Sequence, residues 1–156
     1  MTAATHSKHC PCGGLPKGAI YEQCCGRFHS GAHYGQAPTP EALMRSRYSA
    51  YVLRLRDYLN DTWHSSTRPI ELMPFDADEK WLGLEIREAL PVEADATEGF
   101  VEFIARSKPA GGGAAERMHE RSRFVKEAGR WLYVDGEFPK RLSWPPRAGF
   151  RAPSTI

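Results

Sequence analysis

The sequence predicts an α+β fold in which one helix is followed by an antiparallel sheet. Apolar residues recur at helical spacing between residues 40 and 60, and four later stretches alternate apolar with polar residues. Short connections separate these stretches, and short connections cannot carry the crossovers of a parallel sheet. We therefore expect the helix to pack against a sheet built from successive hairpins.

The helix is expected to span residues 40 to about 60. Thr39 suits the N-cap position, Pro40 suits the first helical position, and Glu41 complements the positive end of the helix dipole. A second, shorter helix is expected over residues 69–75. The apolar stripe of the long helix consists of Met44, Tyr48, Tyr51, Val52, Leu55 and Leu59.

Four strands are predicted over residues 82–87, 100–106, 116–126 and 131–135. The Ala128-Gly129 pair is typical of a hairpin turn between the last two strands, and the sequence PAGGG is a further strand connection. The predicted organisation is a small metal-binding knuckle over residues 1–37, an α+β domain over 38–138, and an irregular Pro/Arg-rich tail over 139–156.

Composition and charge exclude several classes of protein. The chain has 156 residues, which suits one ordinary domain, and 41% of them are hydrophobic, which is enough for a core. A net charge of +2 carries no signature of nucleic-acid binding. No apolar stretch is long enough to span a membrane, and the first residues lack the apolar segment of a signal peptide. We therefore expect a cytoplasmic protein.

Four cysteines lie close together in the knuckle: Cys10, Cys12, Cys24 and Cys25. Thiols stay reduced in the cytoplasm, so clustered cysteines are predicted to be metal ligands rather than disulfides. Four thiolates complete a tetrahedral zinc site without a water molecule, which is typical of a structural site.

Neighbouring residues support this metal site and leave alternatives open. Gly13 and Gly14 allow backbone N–H groups to approach the sulfur atoms, and Gly26 permits the sharp turn that adjacent ligands require. His9 or His29 could replace one thiolate. Iron competes with zinc, because tetrahedral thiolate sites accept both metals.

The cysteine pattern also carries a family resemblance. The sequence CPCGG, followed by YEQCCGRFHSG, resembles the SEC-C motif, a zinc-binding module found at the C-terminal tail of the bacterial protein-translocation motor ATPase. The central segment LPKGAIYEQ is longer than in that motif. The resemblance implies a zinc site whose surface recognises a protein partner.

A second resemblance covers about residues 8–138. The segments LMRSRYSAYV, DYLNDTWH, WLGLEI and ERSRFVKEAGRWLYVDGE resemble the YchJ family of bacterial proteins. Members are similar to the nuclear transport factor 2-like fold, a cone of curved antiparallel sheet closed by helices, often with an internal pocket. Some members carry a second SEC-C module at the C-terminus, whereas this sequence ends in RAPSTI without further cysteines.

Such a pocket would take its lining from the helix and the strands. Arginines among aromatic residues could bind an anionic small molecule. Alternatively, the aromatic residues pack the core, the strand arginines lie on a solvated face, and Arg47 pairs with Glu102 or Glu120. The candidate pocket residues are Arg47, Tyr48, Tyr51, Trp63, Trp81, Arg106, Arg121 and Arg123.

No catalytic residue is predicted. His64 stands beside Ser65 and Ser66, but the sequence offers neither a nucleophile elbow nor a paired acid. Asp57 and Asp61 lie four residues apart on the helix, a spacing that suits an acid/base pair and equally a solvated helical face. The sequence therefore leaves enzymatic activity open and favours a binding role.

Three functional hypotheses follow from these patterns. The favoured one is a metal-binding accessory protein whose knuckle contacts a partner in the export or translation machinery. The second is a small-molecule-binding protein or enzyme that uses the cavity of the cone. The third is a protein that delivers or senses a metal through its cysteine site.

Overall fold

The computed structural model describes residues 8–72, 75, 78–109 and 111–139. The predicted tail therefore lies outside the described residues, apart from residue 139. Two single-turn 3₁₀ helices, Tyr21–Gln23 and Gly31–His33, flank the first α-helix. The α-helices and strands are α1 (Gly26–His29), α2 (Pro40–Leu53), α3 (Arg56–Asp61), β1 (Lys80–Glu88), β2 (Glu98–Lys108), β3 (Glu116–Glu127) and β4 (Arg130–Glu137).

The four strands form one antiparallel sheet in the order β1-β2-β3-β4. This arrangement confirms the expected sheet of successive hairpins. Ala128 and Gly129 both adopt positive φ, at 51° and 79°, as a two-residue hairpin turn requires. Register shifts interrupt the pairing of β1 with β2 and of β3 with β4, and such bulges bend and twist a sheet.

Helix α2 covers the inner face of this curved sheet, which we define as the face that carries Val101, Phe103 and Phe124. These three side chains have no solvent exposure, and α2 contacts strands β1, β2 and β4. Leu43 and Met44 of α2 are buried against the same core. The predicted α+β fold is therefore confirmed.

The start of α2 agrees with its sequence signals. The Thr39 side chain accepts a hydrogen bond from the backbone N–H of Ala42 at 3.1 Å, and Pro40 occupies the first helical turn. We expect Thr39→Ala to lower the free energy of unfolding by about 1 kcal/mol, because one helix N–H loses its acceptor. Urea denaturation would measure this, with the exposed Thr97→Ala as control. Equal losses in the two variants would contradict the capping role.

The prediction of one helix over residues 40–60 is wrong, because the helix breaks at Arg54. Arg54 adopts a left-handed conformation with φ 59° and caps α2, and a separate helix, α3, begins at Arg56. The break lets the Tyr58 hydroxyl contact Ser46 Oγ at 2.6 Å. In a continuous helix, residues twelve apart lie about 18 Å apart along the axis. Tertiary contact therefore overrides the periodic pattern.

The helix predicted over residues 69–75 is also wrong for the part of it that is described. Residues 69–72 and 75 form bends and irregular structure, and residues 73–74 lie outside the described residues. Within the described part of the chain, no helix is long and apolar enough to cross a membrane.

Candidate metal centre

The knuckle brings all four cysteines to one point. Backbone hydrogen bonds from Cys10 N to Ala19 O and from Tyr21 N to Lys8 O fold the chain back on itself. Cys24 and Cys25 lie at the turn that begins α1. Each cysteine is at most 3% exposed. Their sulfur atoms all lie within 4.8 Å of one another, and all four thiols are free.

The sulfur positions fit a tetrahedral metal site. Four thiolates around zinc at about 2.3 Å would be separated by about 3.8 Å from one another. The sulfur atoms of Cys12 and Cys24 lie 3.6 Å apart. The donor set and its spacing therefore match a closed site of four thiolates, in which no position is left for water.

Without a cation, the four thiols cannot all ionise together. Hydrogen bonds with Cys12 and Cys25 lower the pKa of Cys10, whereas hydrogen bonds with its neighbours, followed by burial, raise the pKa of Cys25. One thiol thus ionises only while the next keeps its proton. A bound metal ion removes this conflict, because it displaces the protons of its ligands.

Gly14 and Gly26 act as the sequence predicted, whereas the backbone N–H of Gly13 donates to the Cys10 carbonyl rather than to a sulfur atom. The backbone N–H of Gly14 donates to Cys12 Sγ at 3.3 Å, which supports a negative sulfur. A Cβ atom at Gly14 would lie 2.4 Å from Ala19 N. At Gly26, a Cβ atom would lie 2.8 Å from Tyr21 O, so only glycine permits the close turn after the cysteine pair.

Two residues of α2 complete the surroundings of the cysteines. Arg45 Nη1 donates to the Cys12 carbonyl at 3.0 Å and lies 3.7 Å from Cys12 Sγ. Ser49 Oγ lies 3.6 Å from Cys10 Sγ. Neither residue was expected at the metal site from the sequence, although their spacing of four residues places them on one helix face.

His29 joins the knuckle to α2 through both ring nitrogens. Its Nε2 lies 2.8 Å from the Ser46 carbonyl, which can only accept, so Nε2 carries the proton and Nδ1 accepts from the Tyr21 hydroxyl at 2.7 Å. Burial lowers the pKa of His29 and keeps the ring neutral. Neither His29 nor the exposed His9 belongs to the cysteine cluster. His29 therefore supports the site from outside.

Arg45 provides a test of these surroundings. We expect Arg45→Met to weaken metal affinity about 10- to 100-fold, because Cys12 loses a cationic neighbour and a donor to its carbonyl. Competition against a coloured chelator would measure the affinity. Arg87→Met, on the exposed side of β1, is the matched control. Equal affinity in the two variants would contradict a role for Arg45 at the metal.

The candidate pocket residues separate onto two faces of the sheet. Arg47, Tyr48 and Trp63 are at most 4% exposed and lie on the inner side. Trp81 packs beside them, with its ring centroid 5.6 Å from that of Tyr48 and 6.0 Å from that of Tyr51. Tyr48, Tyr51 and Trp81 therefore pack together, with Tyr51 and Trp81 half-buried, and the Arg47 guanidinium packs on the Trp63 ring.

The three strand arginines lie on the outer face. Arg106 pairs with Glu85, and Arg123 pairs with Asp135 and Glu98. The Arg121 guanidinium lies 4.7 Å from the centroid of the Phe100 ring. Strand alternation instead directs Glu120 and Ser122 inward, where both are fully buried. Glu120 was not predicted among the pocket residues, because the alternation of residues along β3 did not show which side of the strand faces inward.

The structure supplies a partner for His64 that sequence reasoning missed. Its Nε2 lies 2.6 Å from Glu127 Oε2, and its Nδ1 accepts from the backbone N–H of Ser66 at 3.1 Å. The Ser66 hydroxyl lies 2.7 Å from the same nitrogen. These bonds close an exposed turn. Asp61, in turn, is exposed and accepts from the Tyr34 hydroxyl at 2.7 Å.

Comparison with known proteins assigns the chain to a family. The family model described as the YchJ middle NTF2-like domain matches residues 39–136. The chain belongs to the YchJ family. A UPF0225 protein of Bordetella pertussis is 56% identical over 128 residues, which cover 82% of this chain and 91% of that protein. A UPF0225 protein of Methylibium petroleiphilum is 51% identical over 140 residues, covering 90% and 92%.

Solved structures of similar proteins extend the match to the knuckle. The solution structure of a SEC-C motif containing protein from Rhodopseudomonas palustris has a TM-score of 0.69 and 37% identity, covering 85% of this chain and all of that one (100%). The crystal structure of a SEC-C motif containing protein from Psychrobacter arcticus has a TM-score of 0.64 and 28% identity, covering 87% and 85%. Together with the cysteine cluster, these relatives indicate that this YchJ-family chain is a metal-binding protein.

Proposed function

We propose that this chain is a zinc-binding accessory protein whose knuckle contacts an acidic protein surface, in a partner from the export or translation machinery. The observation that carries the proposal is the convergence of four buried thiols within 4.8 Å, which suits zinc and fixes the surrounding loop. The proposal includes a cytoplasmic location, because a reducing compartment keeps such thiols available to the metal.

The exposed side of the knuckle favours a partner of negative charge. Lys8, Lys17 and Arg27 are exposed there, and Glu22 is the one acidic residue between positions 8 and 37. Leu15 adds an apolar contact, since it is 40% exposed beside Lys17. A rigid loop with a basic rim and one apolar side chain complements an acidic surface, which adds specificity and speeds association.

Burial of the thiols argues against the metal-delivery hypothesis. A site that transfers metal needs sulfur atoms that another ligand can reach. All four cysteines are at most 3% exposed. A structural zinc that shapes a contact surface is therefore the better-supported function.

Reversing the basic charge tests the partner proposal without touching the metal ligands. A double variant, Lys8→Glu and Lys17→Glu, is expected to retain its metal but to lose ribosomal or secretion proteins that the wild type captures. The double variant Lys80→Glu and Lys108→Glu, whose two residues are exposed and paired on β1 and β2, is the charge-matched control. Capture should also fall with added salt, since exposed charges are screened. Equal recovery by the double variant and the wild type would refute the proposal.

A further inference from the structure

The two edges of the sheet differ in what covers them. Strand β4 is covered by the segment that follows α3, because His64 N donates to Tyr133 O at 2.7 Å and Tyr133 N donates to Thr62 O at 2.8 Å. Strand β1 pairs with β2 on one side, and its residues form no other backbone hydrogen bond among the described residues. The far side of β1 is therefore an open edge.

An open edge presents backbone N–H and C=O groups to which a further strand can add. Along β1, the Tyr48 hydroxyl occupies one such group, the N–H of Gly83. Apolar side chains accompany the backbone, since Leu82 is 54% exposed and Leu84 and Ile86 are half-buried. Two bulges and charged ends protect the strand against unspecific pairing, so its charge pattern decides which strand fits.

The charges of β1 are self-complementary when two copies of the strand run antiparallel. Lys80 and Glu88 are exposed at its opposite ends. A two-fold axis at Leu84 places Lys80 of each copy opposite Glu88 of the other, and each ion pair occurs twice because the contact is symmetric. A register shifted by one residue places Lys80 opposite Arg87 or leaves it unpaired, and a parallel in-register pair places like charges together. The pattern therefore favours one arrangement.

We propose that β1 pairs antiparallel with β1 of a second copy of this chain, about a two-fold axis at Leu84. The pairing joins the two four-stranded sheets into one continuous sheet. Backbone hydrogen bonds hold the two strands together, Lys80 pairs with Glu88 at both ends, and the exposed Leu82 packs against Ile86 of the other copy. Pairing along a single strand is a small contact, so we expect a dissociation constant on the order of 10 μM.

Sedimentation of the metal-loaded full chain measures this association. The wild type is expected to pass from monomer to dimer as its concentration rises. Lys80→Glu places two carboxylates opposite each other at both ends, so its dissociation constant should rise about 10- to 100-fold. Glu88→Lys places two ammonium groups together and should weaken the dimer to the same extent. A wild type that stays monomeric up to about 1 mM would overturn the proposal.

A mixture of the two variants tests the register. Opposite charges meet again when a Lys80→Glu chain pairs with a Glu88→Lys chain, so the mixture should dimerise about as tightly as the wild type. Glu137→Lys, exposed on β4 at the other edge of the sheet, is the charge-matched control and should dimerise normally. Single variants that dimerise as the wild type does, or a mixture as weak as the single variants, would refute the pairing.

Hydrogen exchange locates the contact on the molecule. Exchange of the backbone N–H groups of residues 80–88 should slow as the wild-type concentration rises, because the pairing protects them. In Lys80→Glu the exchange of the same groups should not depend on concentration in that range. A dimer that leaves the exchange along β1 unchanged would lie on another surface and would also contradict the proposal.

Discussion

Replacing Cys24 by serine is expected to release the metal and to destabilise the protein by on the order of 4 kcal/mol, the stabilisation given by a ligand present at about a thousand times its dissociation constant. Serine keeps the size of the side chain but removes a thiolate from a closed four-sulfur site. Elemental analysis should fall from about one zinc per chain to almost none, and the midpoint of thermal unfolding should fall with it.

The loss should extend beyond the knuckle but leave the sheet folded. The knuckle contacts α2 through His29 and Ser46, Cys10 and Ser49, and Arg45. Loss of the metal should weaken these contacts, whereas the core residues Leu43, Phe103 and Phe124 should stay buried, since they pack between α2 and the inner face of the sheet. Circular dichroism should therefore keep its strand signal while the stability decreases.

A matched control uses the same loop. Lys17→Ala changes an exposed side chain between the two cysteine pairs and should retain both metal and stability. Full metal content and wild-type stability in Cys24→Ser would contradict the assignment of Cys24 as a ligand. Elemental analysis of the wild type, purified without added metal, also distinguishes zinc from iron.

The cysteine site could be predicted because it depends on residue type and on separation along the chain. Four cysteines within a short glycine-containing segment are typical of a metal site. The contributions of Arg45 and Ser49 could not be predicted, because they depend on how α2 packs against the knuckle. Local spacing placed both residues on one face of the helix but did not indicate what that face contacts.

The alternation of apolar and polar residues predicted the strands, but it did not predict which side of β3 faces inward. In β3, basic residues occupy one set of alternate positions, and Glu120, Ser122 and Phe124 occupy the other. Both sets contain polar residues, so alternation alone does not decide which one is buried. Pairing with β2 decides it, since Glu120 lies opposite the buried Phe103.

Removing the charge of Glu120 is expected to change how stability depends on pH. Burial raises its pKa from 4.5 to about 7, so the folded state binds more protons than the unfolded state between these values. The stability of the wild type should therefore fall, relative to Glu120→Gln, as the pH rises through this window. Between about pH 5 and about pH 8.5, the difference should grow by about 2.5 kcal/mol in favour of glutamine.

Urea denaturation of both metal-loaded proteins measures this difference. The cysteine site is common to both proteins, so its own pH dependence cancels in the comparison, since distant sites contribute additively. Glutamine keeps an acceptor for Ser122 and Tyr133, which limits other effects. A difference that decreases as the pH rises would instead show that Arg47 holds Glu120 as a carboxylate, and a constant difference would show that its pKa is the same in both states.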